Sequence, residues 1–494
     1  MQNNVMIKLN AEQYRDKVYA CWLGKNIGGT MGGPYEKTRE ILDIKGFSTA
    51  PGVPLPNDDL DLQLVWLHAV EQIGPLAINA MTLGEFWLSF IPPHWNEYGI
   101  GKANMKRGLL PPLSGDYVND WQHSNGAWIR TEVWACMTPA CPHLAAKYAI
   151  EDAKVDHGSG EGTYAAAFVA AMQSAAFVVS DLRRCIEIGL AEIPENCRMA
   201  DSIRFTIECY DKKTPPMETR NLIQQRNADI GTGWFEAPSN VAYAVLGLLY
   251  GEGDFKKSMI TAINCGDDTD CTAATVGAMM GIMGGMKVIP EDWRAYIGDE
   301  IITISINRGD VCRNVPQTCT ELTDRVTAQA PHVLFQNHAH TVITDGEGLL
   351  PEGDVAAALL ATCDRTVISA LQPYSMHFDH TFIHADVVLD RAPDIAPNGE
   401  CRVKVTCTNN WRVFDKSQYN LTLRWLLPEG FTVEGGRQTL HLPRHSASHS
   451  PLANCSTEFT LRAGERVAPV NRCVLEIVGE GRAMPLYIPI TLLG

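Results

Sequence analysis

The chain has 494 residues, 45% hydrophobic and 20% charged, enough apolar content for a sizeable core and enough length for two or three domains. Its formal net charge of −16 argues against binding nucleic acid or an anionic membrane through bulk electrostatics, and no apolar run reaches membrane-spanning length. Met1 to Asn10 has no apolar signal-peptide core. The 15 cysteines are scattered, odd in number and without zinc-finger spacing, which suits buried thiols in a reduced, cytoplasmic protein.

Ala11 to Gly24 carries Tyr14, Val18, Cys21 and Trp22 at helical spacing, with Arg15, Asp16 and Lys17 opposite. The glycine-dense stretch from Gly24 to Glu36 reads as a loop that lets backbone approach a partner closely. It lacks the Gly-Lys-Ser/Thr ending of a phosphate-binding loop. Helix packing through Gly24 and Gly28 accounts for some of these glycines but not for the closing acid, Glu36. Next, Asn57-Asp58-Asp59-Leu60-Asp61 opens an apolar helix running to Val70. An N-cap needs one acid, and three are present.

Thr82 to Phe90 is short and apolar, and Gly99 to Asp120, rich in glycine and proline, reads as a long ordered loop. His123 to Arg130 leads into an apolar stretch, and Pro142 to Val155 reads as a helix. Asp156 to Gly162 interrupts it before an alanine-rich helix, Thr163 to Ser180. Within that interruption His157 and Glu161 are either capping groups or groups facing a ligand. Helical patterns continue at Asp181 to Gly189, Ala200 to Tyr210, Val241 to Tyr250 and Phe255 to Asn264.

The last of these delivers Gly266-Asp267-Asp268-Thr269-Asp270-Cys271, followed by an almost uncharged run with small residues at Ala273, Gly277, Gly281 and Gly285. Carboxylates this close repel one another, and hard divalent cations gather oxygen ligands from such clusters. Packed side by side, the two acidic helix starts would form one carboxylate-rich pocket. Up to about residue 330 no alternating strand pattern is visible. Beyond it, apart from a helix at Asp354 to Ala361, alternating segments separated by Pro/Gly/Asn turns indicate a β-sandwich of immunoglobulin-like type. The expected division is an all-α domain over 1–335 and, over 336–494, a linker and sandwich with strands mainly from about residue 375.

Four places resemble the ADP-ribosylglycohydrolase superfamily, which includes the dinitrogenase reductase-activating glycohydrolase. Gly24 to Glu36 resembles its glycine-rich stretch ending in Pro-x-Glu, and Asn57-Asp58-Asp59 its Thr-Asp-Asp motif. Asn125-Gly126-Ala127-Trp128-Ile129-Arg130 resembles its Asn-Gly-x-x-Met-Arg segment, and Gly266 to Asp270 its Gly-x-Asp-Thr-Asp signature. The resemblance implies a mainly α orthogonal helical bundle holding two divalent cations, magnesium or manganese. Implied ligands are Asn57, Asp58, Asp59, Asp268 and Asp270. Cys271 stands where the family has a threonine, and a thiol suits magnesium poorly, so either Thr272 or a water takes that position. Glu36, Asp58 and Asp268 are the implied catalytic residues, and Asn125, Gly126, His157, Gly158 and Glu161 the substrate-binding ones. The implied reaction is cleavage at the anomeric carbon of an ADP-ribosyl, ribosyl or related furanosyl group, on a small molecule or a protein. A carbohydrate-directed glycosidase and a non-catalytic binder on the same fold are the alternatives.

Overall fold

The computed structural model of the protein describes residues 6–306, 314–409, 418–443 and 453–494. They divide into two units, one of residues up to 102 with 119–370, the other of 103–118 with 371–494.

The first unit is helical, and three helices organise it: α1 (Ala11–Gly32), α2 (Asp58–Ile73) and α3 (Thr269–Gly284). The glycine-dense stretch expected as a loop is instead the second half of α1, which stays helical to Gly32. A glycine inside a helix costs about 1 kcal/mol relative to alanine, so something else must hold this segment. It is the close approach of α3. A Cβ on Gly24 would stand 2.3 Å from the Gly277 oxygen, on Gly28 2.3 Å from the Ala273 carbonyl carbon, and on Gly32 2.3 Å from the Thr269 oxygen. In return, a Cβ on Gly277 would stand 2.1 Å from the Gly24 oxygen, and on Gly281 2.3 Å from the Ala20 oxygen. Residue numbers rise along one helix as they fall along the other, so the pair is antiparallel. The end of α1 therefore lies beside the start of α3. The start of α2 comes down on the same place, because Gly29 leaves room for Asn57, whose Nδ2 lies 2.0 Å from where a Cβ would be.

Around this contact the core is built from large rings, with Trp22, Trp66, Trp87, Trp128, Trp134 and Phe168 all fully buried. The expected loop Gly99 to Asp120 is largely helical, with helices at Asn96–Lys106 and Leu113–Asp116. Gly99 again marks contact rather than a break, since its Cβ would meet the His94 oxygen at 2.5 Å. A parallel pair of four-residue strands, β1 (Ile7–Asn10) and β2 (Thr341–Thr344), also departs from the expectation of a strandless N-terminal region. Among the described residues no helix is long and apolar enough to cross a membrane.

The second unit contains β3 (Ser375–Asp379), β4 (Ile383–Leu389), β5 (Glu400–Asn409), β6 (Tyr419–Leu426) and β7 (Thr432–Gly435). It continues with β8 (Thr439–Leu442), β9 (Asn454–Arg462), β10 (Val470–Gly479) and β11 (Leu486–Leu493). They form antiparallel sheets in the orders β3-β4-β5-β9-β7 and β11-β10-β6-β8. Burial alternates strictly along β4 and most of β5, so each presents one apolar face. Trp425 on β6 meets Phe459 on β9 edge to face at 5.4 Å, joining the two inner faces. This is a sandwich of the immunoglobulin-like type.

Candidate active site

The convergence of three helix ends sets the site. α3 is entered through a left-handed turn, with φ of 74° at Gly266 and 68° at Asp267. The Asp267 backbone is tied to the segment after α1, its N–H donating to the Thr38 oxygen at 2.7 Å and its oxygen accepting from the Lys37 N–H at 2.9 Å. The Asp267 carboxylate is occupied locally, because Oδ1 accepts from the Phe235 N–H at 3.2 Å and Oδ2 lies 4.0 Å from Arg39. Asp267 thus shapes the turn and leaves Asp268 and Asp270 for chemistry.

Asp268 and Asp270 meet the acids of α2. Asp59 is fully buried, and Asp268 and Asp270 are 5% and 8% exposed. One donor atom each from Asp59, Asp270 and Cys271 lie within 4.8 Å of one another. Three of the carboxylates are held from the side. Tyr98 donates its hydroxyl to Asp58 Oδ2 at 3.0 Å, Asn125 donates Nδ2 to Asp268 Oδ2 at 2.6 Å, and the Cys271 thiol donates to Asp59 Oδ1 at 3.3 Å. Asn125 is itself fixed, accepting on Oδ1 from Trp128 Nε1 at 2.9 Å. Two oxygens remain: Asp59 Oδ2 and Asp270 Oδ1 are buried without a hydrogen-bond partner. Lys25 stands 3.9 Å from that Asp59 oxygen but is shared with Glu132, at 3.1 Å.

Burial, followed by the neighbouring Asp270 charge, pushes the Asp58 carboxyl up to about 6 and that of Glu36 up to about 7. Burial pushes Asp59 and Asp268 well above the ordinary carboxylate range, Lys25 opposing it at Asp59 and Asp270 adding to it at both. Unpaired buried carboxylate oxygens are expensive, and removing a proton from each makes the group more so. A hard divalent cation would satisfy them, and this donor set of carboxylate and amide oxygens fits one.

Residues 10–330, about two thirds of the chain, match the model of the ADP-ribosylglycohydrolase family. The chain belongs to the ADP-ribosylglycohydrolase family. No curated protein matches it. Among solved structures it is similar to an ADP-ribosylglycohydrolase-related protein complex, at 20% identity over 66% of this chain and 99% of that one, TM-score 0.43. It is also similar to a FixG-related protein from Vibrio parahaemolyticus, at 10% identity over 23% of this chain and 97% of that one, TM-score 0.19. A third similarity is to the GAE domain of GGA2p from Saccharomyces cerevisiae, at 13% identity over 24% and 96%, TM-score 0.17.

The ADP-ribosylglycohydrolase motifs divide into residues at the acids and residues behind them. Asp58, Asp59, Asp268, Asp270 and Asn125 come together, and Glu36 is close enough for its carboxyl to feel the Asp270 and Asp58 charges. Asn57 lies beside them as the cap of α2, its Oδ1 accepting from the Asp59 N–H at 2.8 Å. Gly126 packs against Glu97, whose Oε1 is 2.1 Å from where a Cβ would be. The motif arginine, Arg130, is fully buried, pairs with Asp152 at 3.0 Å and Asp156 at 2.8 Å, and donates to the Gly126 oxygen. It anchors the loop that presents Asn125.

Four of the expected site residues have partners of their own within the protein. The Thr272 hydroxyl donates to the Thr269 oxygen at 3.2 Å inside α3. Cys271 is the residue of that pair beside the acids. Glu161 accepts backbone N–H groups on both its oxygens, of Arg198 and Met199, each at 2.8 Å, capping the helix Arg198–Asp211. His157 is wholly buried with both ring nitrogens engaged, Nδ1 at 2.9 Å from Asp156 and Nε2 at 3.3 Å from Ser124. Gly158, at φ 53°, turns the chain so that its oxygen accepts the Thr163 hydroxyl at 2.8 Å. These two support the loop from behind.

Reading the sequence missed Tyr98, Lys25 and Asn240. Asn240 accepts the Asp268 N–H on Oδ1 at 3.3 Å. Lys25 did leave a signal, as a lone charge in the otherwise uncharged run from Cys21 to Met31. A buried lysine needs anionic partners. Tyr98 and Asn240 left none, since their partners lie 40 and 28 residues away.

Proposed function

We propose that this chain is a metal-dependent glycohydrolase cleaving the glycosidic bond at the anomeric carbon of an ADP-ribosyl, ribosyl or related furanosyl group, on a small molecule or on a protein. The observation that carries this reading is the pair of buried carboxylate oxygens without a hydrogen-bond partner, Asp59 Oδ2 and Asp270 Oδ1, on two acids whose donor atoms lie within 4.8 Å of one another and of the Cys271 thiol. Asn57, Asp58, Asp59, Asp268 and Asp270 would hold two Mg²⁺ or Mn²⁺ ions, and a water would take the position for which the Cys271 thiol is poorly suited. Bound there, the ions supply orientation of the ribose hydroxyls and a water of lowered pKa. The chain supplies the rest. Tyr98 and Asn125 fix the Asp58 and Asp268 carboxylates, so these can orient water and sugar without reorganising. Glu36, half-buried and with its carboxyl near 7, is suited to move a proton to or from the reacting oxygens at neutral pH.

Calorimetric titration with Mg²⁺ and Mn²⁺, with Asp268→Ala and Asp270→Ala as controls, tests the metal reading. No heat from the intact protein, or unchanged binding in both variants, would remove it. Activity is screened on ADP-ribosyl-arginine, ADP-ribosyl-serine, ADP-ribose phosphate esters, nucleosides and simple furanosides. Glu36→Gln is expected to lower kcat by roughly 10²–10⁴-fold on any substrate found. An unchanged kcat would take Glu36 out of the reaction.

A further inference from the structure

The sandwich carries a second group of metal-ligating side chains, within its own sheet. β3 and β4 pair antiparallel, with His377 opposite Asp386 and Asp379 opposite His384. Side chains alternate along a strand, so these four share the outer face while Met376, Phe378 and Ala385 between them are buried. One donor atom each from His377, Asp379 and His384 lie within 4.8 Å of one another. His377 Nε2 is 3.4 Å from Asp379 Oδ1, and ligands around a tetrahedral zinc-sized ion stand about 3.4 Å apart.

The other nitrogen of His377 makes the stronger point. Its Nδ1 is 2.7 Å from Asp386 Oδ1, so a proton on Nδ1 is held by the carboxylate and the Nε2 lone pair is left toward Asp379. Metal-binding histidines are oriented in this way, by a carboxylate on the nitrogen that does not ligate. His384 reaches the same Asp379 carboxylate from β4. Its Nδ1 is closed off from solvent and lies against Asp379 Oδ1 without forming a hydrogen bond. The two imidazoles thus converge on one carboxylate oxygen, their ring centres 5.4 Å apart.

We propose that this face of the sandwich binds one transition-metal ion of the zinc class through His377 Nε2, the Asp379 carboxylate and His384 Nδ1, with Asp386 positioning His377 and a water in the fourth place. Two imidazoles and a carboxylate select Zn²⁺, Co²⁺, Ni²⁺ or Cu²⁺ over Mg²⁺ and Ca²⁺. The site is independent of the acidic cluster in the helical unit and of the reaction proposed there.

The full chain, stripped of metal with a chelator, is titrated calorimetrically with ZnCl₂ and separately loaded with Co²⁺ for visible spectroscopy. The expected result is a binding event weakened at least 100-fold in His377→Ala and in His384→Ala, and about 10–100-fold in Asp386→Asn. The visible bands of tetrahedral Co²⁺ disappear with the histidines. Asp270→Ala leaves this event and its spectrum intact, which separates it from any zinc taken up by the acidic cluster. His377 is 42% exposed on its side chain, so His377→Gln serves as a folding-neutral variant, checked by circular dichroism. Absence of zinc binding, or titrations that superimpose for the parent and both histidine variants, would overturn the proposal and leave a surface ion-pair network.

Discussion

The four acids and Glu36 work against the fold until a cation joins them, and Asp270→Asn is the sharpest probe of that statement. The Asp270 charge contributes to the raised values of Glu36, Asp58, Asp59 and Asp268 alike. For Asp58, the rise from 3.8 to about 6 amounts to about 3 kcal/mol at pH values above both, with burial the larger cause and Asp270 the next. With burial the larger cause, the Asp270 charge is worth on the order of 1 kcal/mol at Asp58, and it acts in the same direction at Asp59 and Asp268. A carboxyl that holds its proton more tightly folded than unfolded stabilises the fold at low pH, and that contribution is lost as pH rises through the folded value. The metal-free protein should therefore lose stability from about pH 4, where Asp58 and Glu36 begin to ionise when unfolded, to about pH 7, where Glu36 ionises folded. At neutral pH, Asp270→Asn should raise the metal-free melting midpoint by about 2 °C, at roughly 2 °C per kcal/mol for a chain of this size. Excess Mg²⁺ or Mn²⁺ should stabilise the parent by about 2.7 kcal/mol at a hundredfold excess over Kd, and the variant by far less. Differential scanning fluorimetry with and without metal reads both effects. A midpoint that falls in metal-free Asp270→Asn, or a metal-induced shift that survives the substitution, would refute the reasoning.

Asn125→Ala removes the 2.6 Å donor from a buried carboxylate and should weaken Mn²⁺ binding about 10–100-fold by calorimetry; unchanged affinity would mean Asp268 needs no support. Gly28→Ala places a methyl 2.3 Å from α3 backbone and should destabilise by about 3 kcal/mol in denaturant melts, while Gly46→Ala, with nothing within 4 Å, should not. Glu161→Ala should lower stability by about 1–2 kcal/mol through the lost cap while leaving KM unchanged. A raised KM at unchanged stability would return Glu161 to the substrate.

Much of this protein was legible without coordinates because its signals are local. The acid excess at Asn57 to Asp61 and at Asp267 to Asp270 lies next to apolar helical runs, so a carboxylate pocket at helix starts followed from neighbours in the chain. The alternating segments beyond residue 375 identified the sandwich for the same reason, since period-two burial is a property of a few consecutive residues. The glycines of α1 were ambiguous on their own. A glycine that permits a loop and one that permits a helix to touch another helix are identical until the partner, here Gly277 and Ala273, is in place. Residue roles around the acids were decided by helix phase and distant partners. One position of helical rotation sends Cys271 to Asp59 and turns Thr272 onto its own backbone. Glu161 caps a helix that begins 37 residues later, and Tyr98 reaches an acid 40 residues earlier. The sequence by itself determined which residue types the site would use and at which helix ends; only the packing of α1 against α3, with Asn57 of the α2 start seated on Gly29, decided which of them meet, because those contacts bring the three ends to one place.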